Sequence, residues 1–474
     1  MKKLCLPLAV VFVLVASTFA FAQVANPDWW REAAEPFQGV TITGISESTP
    51  PSRVVMDVAI PQFEELTGIN VEFEVTSWDE MYTKAIHDME AATGIYDFVY
   101  VEQDIIYAYL AQGWLTDLGP FIANPAITEP ALDIDDFTTF IDYFKDAEGN
   151  LFGLPFEAFL KSYVYRTDLF GDPDIQAAFL AEYGYELAVP TTWEQYTDIA
   201  RFFTSWGKEQ GVEIFGHVAQ AKTHPALGYE LKETIWPAWG LYNWGINLET
   251  MRASVEHGGE LNSDLAKEAL RWYVEMLDYA PPGVRTYTWD ETAATFGAGI
   301  IAQGVIYLEN LGWWATDEER SAVVGKIGVA LPPTKPGVME AAEIGEGYIG
   351  YYDGGALGIP HSSRNKEAAW LFMQFVARKE WQGEFARLGT RVVRTSTFED
   401  PLVLELDPLM GGYFTMLRDQ GHLFAGAPNL PMHRPLNELY FSWIARAVVG
   451  EVTPEEALDN LAREVDLLMV DLGY

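Results

Sequence analysis

The segment from Gly149 to Phe170 constrains the fold more than any other part of this chain. Its sequence, GNLFGLPFEAFLKSYVYRTDLF, begins with a turn and continues with two apolar runs of the β type that meet around Pro155 and Glu157. A carboxylate between two apolar strands is expected where a chain passes from one α/β lobe to another. Ligand sites in open α/β proteins lie in such crevices, beyond the carboxyl ends of the strands. The segment therefore predicts two lobes with a polar site between them.

The length and the N-terminal sequence indicate an exported, globular protein. A chain of 474 residues with 49% hydrophobic and 21% charged residues is expected to form two or more domains. Residues 1–22 have the pattern of a secretory signal peptide, with two lysines, a short apolar stretch and Ala20-Phe21-Ala22 at the cleavage position. The apolar stretch is too short to span a membrane comfortably. We expect a periplasmic protein that is released by cleavage of this signal.

Cysteine content and net charge exclude several classes of function. The single cysteine, Cys5, lies inside the predicted signal and before its apolar stretch, so we expect no lipid anchor, no disulfide and no thiol ligand for a metal. The seven histidines show no metal-binding spacing, and nothing indicates a cofactor. The net charge of −39 argues against binding to nucleic acid or to anionic membranes, but it does not by itself identify a cationic ligand.

Strand and helix patterns alternate through the first part of the chain. Residues 69–76 alternate apolar and polar side chains, which predicts a half-buried strand, and residues 77–80 have the spacing of a capping box that opens a helix. Residues 97–101 predict a second, buried strand. This alternation predicts a parallel-rich sheet with helices on both faces, whereas the second half of the chain is predicted to be more helical.

Several short segments occur in an order that is typical of one known family. They are FEELTGINV (63–71), YDFVYV (96–101), AQGWLTDL (111–118), GLP (153–155), YVYRTDLF (163–170), PTTWE (190–194) and GALGIP (355–360) ahead of KEAA (366–369). This order resembles that of the extracellular solute-binding proteins of ABC importers. That group includes maltose-binding protein and the sugar- and polyol-binding proteins.

The resemblance implies an α/β fold of the type II periplasmic binding protein class. Two lobes with mixed central sheets are joined by a multi-strand hinge and close around a carbohydrate in the cleft. The predicted lobes are residues 38–156 with 310–350, and residues 157–309 with 351–474. The resemblance also implies a monomeric binding protein, not an enzyme, that delivers its ligand to ABC permease subunits. The chain has no GxxxxGK[ST] motif, so it supplies no ATP site.

Candidate ligand-binding residues are polar and aromatic residues at strand ends and lobe crossings. Carboxylates, amides and guanidinium groups bind hydroxyls, and aromatic rings cover the C–H faces of a sugar or polyol. The resemblance supports Glu157 as a cleft acid, Trp239 as a stacking ring, and Arg394 as part of an Arg-Thr-Ser stretch. The full set is Glu47, Ser48, Trp78, Glu102, Gln103, Glu157, Trp239, Asn310, Trp313, Trp314, Tyr352, Asp353, Gly354, Gly355 and Arg394.

The sequence alone does not decide between a ligand-binding and a structural role for several of these residues. It is also compatible with two functions other than carbohydrate binding. Glu157 can pair with Lys161, Trp239 can pack in a core, and Arg394 can pair with one of the 69 acidic residues. An acidic cleft would suit a cationic solute such as a polyamine. A secreted glycoside hydrolase needs two carboxylates about 5–10 Å apart, a spacing that so acidic a chain meets by chance. The aromatic residues together with Arg394 favour a neutral hydroxylated ligand.

Overall fold

The computed structural model describes residues 24–389 and 392–474. The predicted signal peptide, residues 1–22, lies outside the described residues. Within them, no helix is both long and apolar enough to cross a membrane. The strands are β1 (Thr41–Glu47), β2 (Asn70–Thr76), β3 (Phe98–Glu102), β4 (Gly153–Arg166), β5 (Gln303–Tyr307), β6 (Ile327–Ala330) and β7 (Tyr352–Gly358).

Helices surround these strands along the whole described chain, and they are about equally frequent in its two halves. They are α1 (Pro27–Ala34), α2 (Pro50–Val54), α3 (Ile60–Thr67), α4 (Trp78–Ala91), α5 (Ile106–Ala111), α6 (Gly119–Ile122), α7 (Thr167–Phe170), α8 (Pro173–Tyr183), α9 (Trp193–Gln210), α10 (Pro225–Glu230), α11 (Trp236–Trp239), α12 (Asp264–Met276), α13 (Trp289–Gly297), α14 (Leu311–Thr316), α15 (Val338–Glu343), α16 (Lys366–Val376), α17 (Lys379–Gly389), α18 (Pro401–Leu406), α19 (Tyr413–Gln420), α20 (His433–Val448) and α21 (Pro454–Asp471).

The strands form one mixed sheet in the order β2-β1-β3-β7-β4-β5, with β6 paired to β4. β1 pairs in parallel with β2 and β3, whereas β7 is antiparallel to both β3 and β4. β5 and β6 are also antiparallel to β4. The mixed α/β architecture is therefore confirmed, although the parallel pairing is confined to β1, β2 and β3.

β4 carries the chain from one part of the sheet to the other. Residues 153–160 pair with β7, and residues 161–166 pair with β5 and β6. The two predicted apolar runs thus form one continuous strand. Its register shifts between Pro155 and Glu157, where proline has no N–H to donate to the neighbouring strand. β4 is buried along almost its whole length because it passes between the two cores.

Two groups of buried side chains lie on either side of this crossing. The first core contains apolar residues from 30–158 and again from 356–393, including those of α16, together with Tyr229. The other cores contain residues from 160–351 and from 386–469. The predicted boundaries, which assigned residues 310–350 to the first lobe and residues 351–474 to the second, stay a prediction, and this packing favours a different division. We propose that β7 brings the chain back into the first lobe, because it pairs with β3 there.

Candidate ligand-binding site

A cavity with about 30 Å³ of free volume lies where the lobes and the crossing strands meet. A buried cavity needs about 10–15 Å³ to hold one water molecule, whereas small-molecule sites typically enclose about 300–1,000 Å³, so the lobes must move apart to admit a ligand here. Its wall consists of four carboxylic acids and five aromatic residues drawn from both lobes. They are Glu47, Glu102, Glu309, Asp353, Trp78, Phe159, Tyr229, Trp289 and Tyr307.

The first lobe contributes Glu47, Glu102 and Trp78. Glu47 and Glu102 are the last residues of β1 and β3, two parallel neighbours whose carboxyl ends meet at one edge of the sheet. Trp78 is the first residue of α4, and the Ser77 side chain caps that helix. The Trp78 indole N–H donates a 2.8 Å hydrogen bond to Glu102 Oε1, which fixes the ring against the cavity.

The second lobe contributes Tyr229 and Trp289. Trp289 is the first residue of α13, whose capping box joins Thr288 and Glu291. The Trp289 and Trp78 rings meet edge to face with their centroids 6.2 Å apart. Tyr229 lies in α10 and is also edge-on to Trp78, at 6.4 Å. Aromatic rings from opposite lobes therefore contact each other across the cleft.

The crossing strands contribute Phe159 and Tyr307, whose rings pack edge to face at 5.8 Å. The Tyr307 hydroxyl donates to Glu233 Oε2. The Lys161 ammonium lies 4.8 Å from the centre of the Tyr307 ring and is itself paired with Glu230. A layer of buried charged groups behind the wall thus holds Tyr307 in place.

The acids of the wall are harder to ionise than ordinary carboxyl groups. Burial, with the nearby charge of Glu157, raises the pKa of Glu309 to about 8. Burial, with the charge of Asp104, raises the pKa of Asp353 to about 7. Burial and neighbouring acids also raise the pKa values of Glu47 and Glu102. None of the nine wall residues is Lys, Arg or His, so the wall itself supplies no positive charge to balance these acids.

A second set of polar contacts joins the lobes beside the cavity. The Asp104 carboxylate lies 3.0 Å from His433 Nε2 and accepts a 2.9 Å hydrogen bond from the Tyr229 hydroxyl. Burial alone would raise the pKa of Asp104, but His433 and Lys232 lower it overall. Burial lowers the pKa of Lys232 to about 8. At the rim, His224 Nε2 lies 3.1 Å from Asp79 Oδ2. These pairs connect α4 and the end of β3 to α10 and α20, and so hold the lobes together.

Four of the predicted site residues line the cavity: Glu47, Trp78, Glu102 and Asp353. Two more lie directly behind the wall. Glu157 is buried, accepts a 3.1 Å hydrogen bond from the Thr49 hydroxyl, and raises the pKa of its neighbour Glu309. The Asn310 amide donates a 3.0 Å hydrogen bond to Glu309 Oε1. A ligand role for Glu157 and Asn310 stays a prediction.

Four predicted residues pack away from the cavity. Trp314 is fully buried and donates to the Ala293 carbonyl at 3.0 Å, so it is a core residue. Trp239 is buried in a core of the second lobe. Trp313 is half-buried, and its indole N–H donates to Asn310 Oδ1 at 2.7 Å. Arg394 is fully buried in the first lobe, where its guanidinium binds backbone carbonyls.

The remaining candidates have roles in the backbone framework. Gln103 links two backbone segments, because its amide donates to the Tyr352 carbonyl and accepts from the Ala427 N–H. A Cβ at Gly354 would lie 2.3 Å from the Glu157 carbonyl oxygen, and one at Gly355 would lie 2.6 Å from that of Val101. Glycine is therefore needed for β7 to fit between β3 and β4. Tyr352 donates its hydroxyl to the Gly421 carbonyl. Ser48 is exposed, and its N–H donates to the Thr76 carbonyl.

Five wall residues were not predicted: Phe159, Tyr229, Trp289, Tyr307 and Glu309. The sequence contains a feature that could have identified two of them, Trp289 and Glu309. Trp289 directly follows a helix-capping threonine, as Trp78 follows its capping serine. Glu309 follows the apolar strand β5, as Glu102 ends β3. Phe159 and Tyr307 lie in strands that are buried along almost their whole length and lack a regular alternation of apolar and polar residues, so the sequence does not show which face of the strand they occupy.

Two α/β lobes that share strands and enclose a polar, aromatic cavity define a two-lobe ligand-binding protein. Residues 46–383 match the family described as bacterial extracellular solute-binding protein. The chain belongs to this family, whose members are ligand-binding proteins.

Known relatives cover nearly the whole chain at low identity. The chain is 23% identical to a probable amino-acid ABC transporter periplasmic-binding protein of Sinorhizobium fredii, over 98% of this chain and 97% of the relative. It is 24% identical to the erythritol/L-threitol-binding protein of Mycolicibacterium smegmatis, over 78% of this chain and 73% of that one. Among solved structures, an ABC transporter solute-binding protein of Agrobacterium radiobacter K84 in complex with ribitol is 25% identical. It superimposes with a TM-score of 0.75 over 91% of this chain and 99% of the other.

Proposed function

We propose that the protein binds one small polyhydroxylated molecule in this cavity and passes it to the permease of an ABC importer. The observation that carries the proposal is the wall itself, in which acids and aromatic rings from both lobes surround one small space. Carboxylates accept hydrogen bonds from hydroxyls, and rings cover C–H faces. The names of two relatives, which bind ribitol and erythritol or L-threitol, support the same ligand class.

The charge of the cavity narrows the choice of ligand. Its free volume of about 30 Å³ does not fix the size of the ligand, because the lobes must move apart to admit one. The name of the Sinorhizobium relative suggests an amino acid instead. An amino acid has a carboxylate that needs a cationic or N–H-rich partner, and the wall has no Lys, Arg or His to provide one. A simple amino acid is therefore disfavoured.

We infer that the bound molecule is not chemically altered. A retaining glycosidase needs one carboxylate that stays ionised as a nucleophile and a second that stays protonated as an acid. Here the pKa values of Glu47, Glu102, Glu309 and Asp353 are all raised, so the wall does not separate two such roles. Incubation with oligosaccharides and aryl glycosides should give no product. Steady product release would contradict this inference.

We also propose that the protein acts in the periplasm. The matched family is extracellular, and the predicted signal peptide at residues 1–22 would direct export. Cys5 precedes the apolar stretch of that signal, which argues against lipid attachment at the cleavage site. Mass measurement of the protein recovered from a periplasmic extract would show whether the chain starts near residue 23 and carries no lipid.

Calorimetric titration with erythritol, ribitol, mannitol and glucose tests the binding proposal, with Trp289→Ala as the diagnostic variant. Loss of the Trp289 ring from the wall should weaken the tightest ligand by about tenfold or more, which corresponds to about 1.4 kcal/mol. Trp443→Ala is the matched control, because that indole donates to Glu464 and stacks with Arg446 away from the cavity. Its affinity should equal that of the wild type. Equal losses in both variants would refute the assignment of the cavity.

A further inference from the structure

We propose that the hydroxylated ligand of this cavity carries an ammonium group, so that it is an amino polyol or an amino sugar and not a neutral polyol. This inference rests on the proposed function, since it concerns the same cavity. It follows from three features of the wall: its charge, its surplus of hydrogen-bond acceptors, and its aromatic rings.

The wall is acidic, and the nearby cations are already engaged. Glu47, Glu102, Glu309 and Asp353 face the cavity without any Lys, Arg or His among the wall residues. Behind the wall, Lys161 is paired with Glu230, and Lys232 donates a 2.9 Å hydrogen bond to Asn437 Oδ1 and lies over the Tyr229 ring. A buried carboxylate without a cationic partner is costly, so the cavity gains stability from a positive charge inside it. A neutral polyol would not supply that charge.

When its four acids are ionised, the wall accepts hydrogen bonds but has few left to donate. Its rings carry four N–H or O–H groups, on Trp78, Tyr229, Trp289 and Tyr307. Three of these already donate to carboxylates: Trp78 to Glu102, Tyr229 to Asp104, and Tyr307 to Glu233. A hydroxyl is both a donor and an acceptor, whereas an ammonium group is only a donor. An acceptor-rich wall therefore matches a ligand with at least one ammonium group better than one with hydroxyls alone.

The aromatic rings fit an organic ammonium group better than a metal ion. The face of an aromatic ring attracts an ammonium group within about 6 Å of its centroid, most strongly when both are shielded from water. The protein already uses this contact next to the cavity, where the Lys232 ammonium lies 4.4 Å from the Tyr229 ring and 4.1 Å from the Trp244 ring. Hard metal ions instead require a shell of oxygen ligands. In residues 24–389 and 392–474, no group of three or more His, Cys, Asp or Glu side chains is placed to hold one.

The proton balance of the wall supports the same conclusion. Burial and the charges of Glu157, Asp353 and Asp290 raise the pKa of Glu309 to about 8. Burial and the charges of Asp104 and Glu157 raise the pKa of Asp353 to about 7, against the opposing hydrogen bonds from Gly354 and Tyr307. Protons therefore compete with a cationic ligand below these values. Binding of an ammonium group should release protons, and its affinity should rise as the pH increases from 6 to 8. A neutral polyol should show no such rise.

Matched ligand pairs test the inference on the full mature chain. Ribitol is compared with 1-amino-1-deoxyribitol, sorbitol with 1-amino-1-deoxysorbitol, and glucose with glucosamine, by calorimetry at pH 8. The N-acetylated amines serve as uncharged controls of similar shape. We expect the amine of at least one pair to bind at least tenfold more tightly than its neutral partner. This preference should decrease with added salt and disappear on N-acetylation.

Two variants test whether the preference for the amine arises in this cavity. Glu309→Gln should reduce the amine preference at least fivefold and flatten the pH dependence, and Glu209→Gln, at an exposed acid on α9, should change neither. If the neutral member of every pair binds as tightly as the amine, the inference is overturned and the proposed function stands. If no member of any pair binds to the folded protein, both are overturned.

Discussion

The substitution Arg394→Ala distinguishes a structural arginine from a ligand-binding one. The Arg394 side chain is completely buried in the first lobe, away from the cavity. Its guanidinium donates hydrogen bonds to the carbonyl oxygens of Ala377 at 2.7 Å, Leu132 at 2.8 Å and Asp133 at 3.0 Å, lies 3.3 Å from the Asp136 carboxylate, and stacks 4.0 Å from the Phe137 ring. Alanine would remove all of these contacts and leave the carbonyls without donors.

The expected loss of stability follows from these contacts. A hydrogen bond from a charged donor contributes about 1.5–3 kcal/mol, and such contributions are not additive within one network. Breaking a buried charged network by removing one member typically costs about 3–5 kcal/mol. We therefore expect Arg394→Ala to lower the free energy of unfolding by about 4 kcal/mol, a large share of the 5–15 kcal/mol typical of folded proteins. Ligand affinity of the folded fraction should change by less than about threefold, or about 0.7 kcal/mol.

Urea unfolding followed by circular dichroism gives the stability, and calorimetry gives the affinity. Arg434→Ala is the control, because Arg434 is 62% exposed and makes one 3.4 Å contact with Glu438. Such surface pairs are worth up to about 1 kcal/mol, so the control should stay close to the wild type. A variant at Arg394 that keeps wild-type stability but loses ligand affinity would refute the structural assignment and return this residue to the binding site.

Two further predictions concern pH and fluorescence. The pKa of Glu309 rises from an ordinary 4.5 to about 8 and that of Asp353 from 3.8 to about 7, so the folded protein holds these protons more tightly than the unfolded chain. This contribution to stability is fully present below about pH 4 and is lost as the pH rises through about 7 to 8. The melting temperature without ligand should therefore decrease between pH 6 and 9, less steeply in Glu309→Gln, and a rising curve would contradict the assignment. Ligand binding should also change tryptophan emission through Trp78 and Trp289, and a response that persists in the Trp78→Phe, Trp289→Phe double variant would show that these rings do not report on the site.

The sequence predicted the part of the site that depends on strand ends. Glu47 and Glu102 end two parallel strands, and Trp78 opens the helix after a third, so the rule that strand ends converge was enough to place them together. The crossing at β4 was also predicted, since a long apolar run interrupted by proline and a carboxylate is typical of a strand that passes between two cores. These features depend on residues that are close together in the chain, so the pattern of apolar and polar residues along the sequence is enough to predict them.

The parts that could not be predicted depend on packing between distant segments. Nothing in the residue types at 313 and 314 shows that one tryptophan is half-buried and the other fully buried, because that depends on how α14 lies against α13 and β4. The same holds for Arg394, whose partners are about 260 residues earlier in the chain. The lobe boundaries are hard to predict for a similar reason. Residues 356–359 are apolar enough to pair in either lobe, and the observed pairing with β3 depends on Gly354 and Gly355 fitting between strands.

The position of Arg394 also changes the argument about the ligand. A neutral hydroxylated ligand was favoured because an arginine could bind its hydroxyl oxygens beside the aromatic rings. With that guanidinium buried in the first lobe, the wall keeps its rings and acids but loses its expected cationic donor. The same rings and acids then favour a ligand that brings its own positive charge, because acceptors without a donor are best satisfied by an ammonium group. A neutral polyol remains compatible with the cavity only if the wall acids bind it in their protonated form, in which case its affinity should fall, and not rise, between pH 6 and 8.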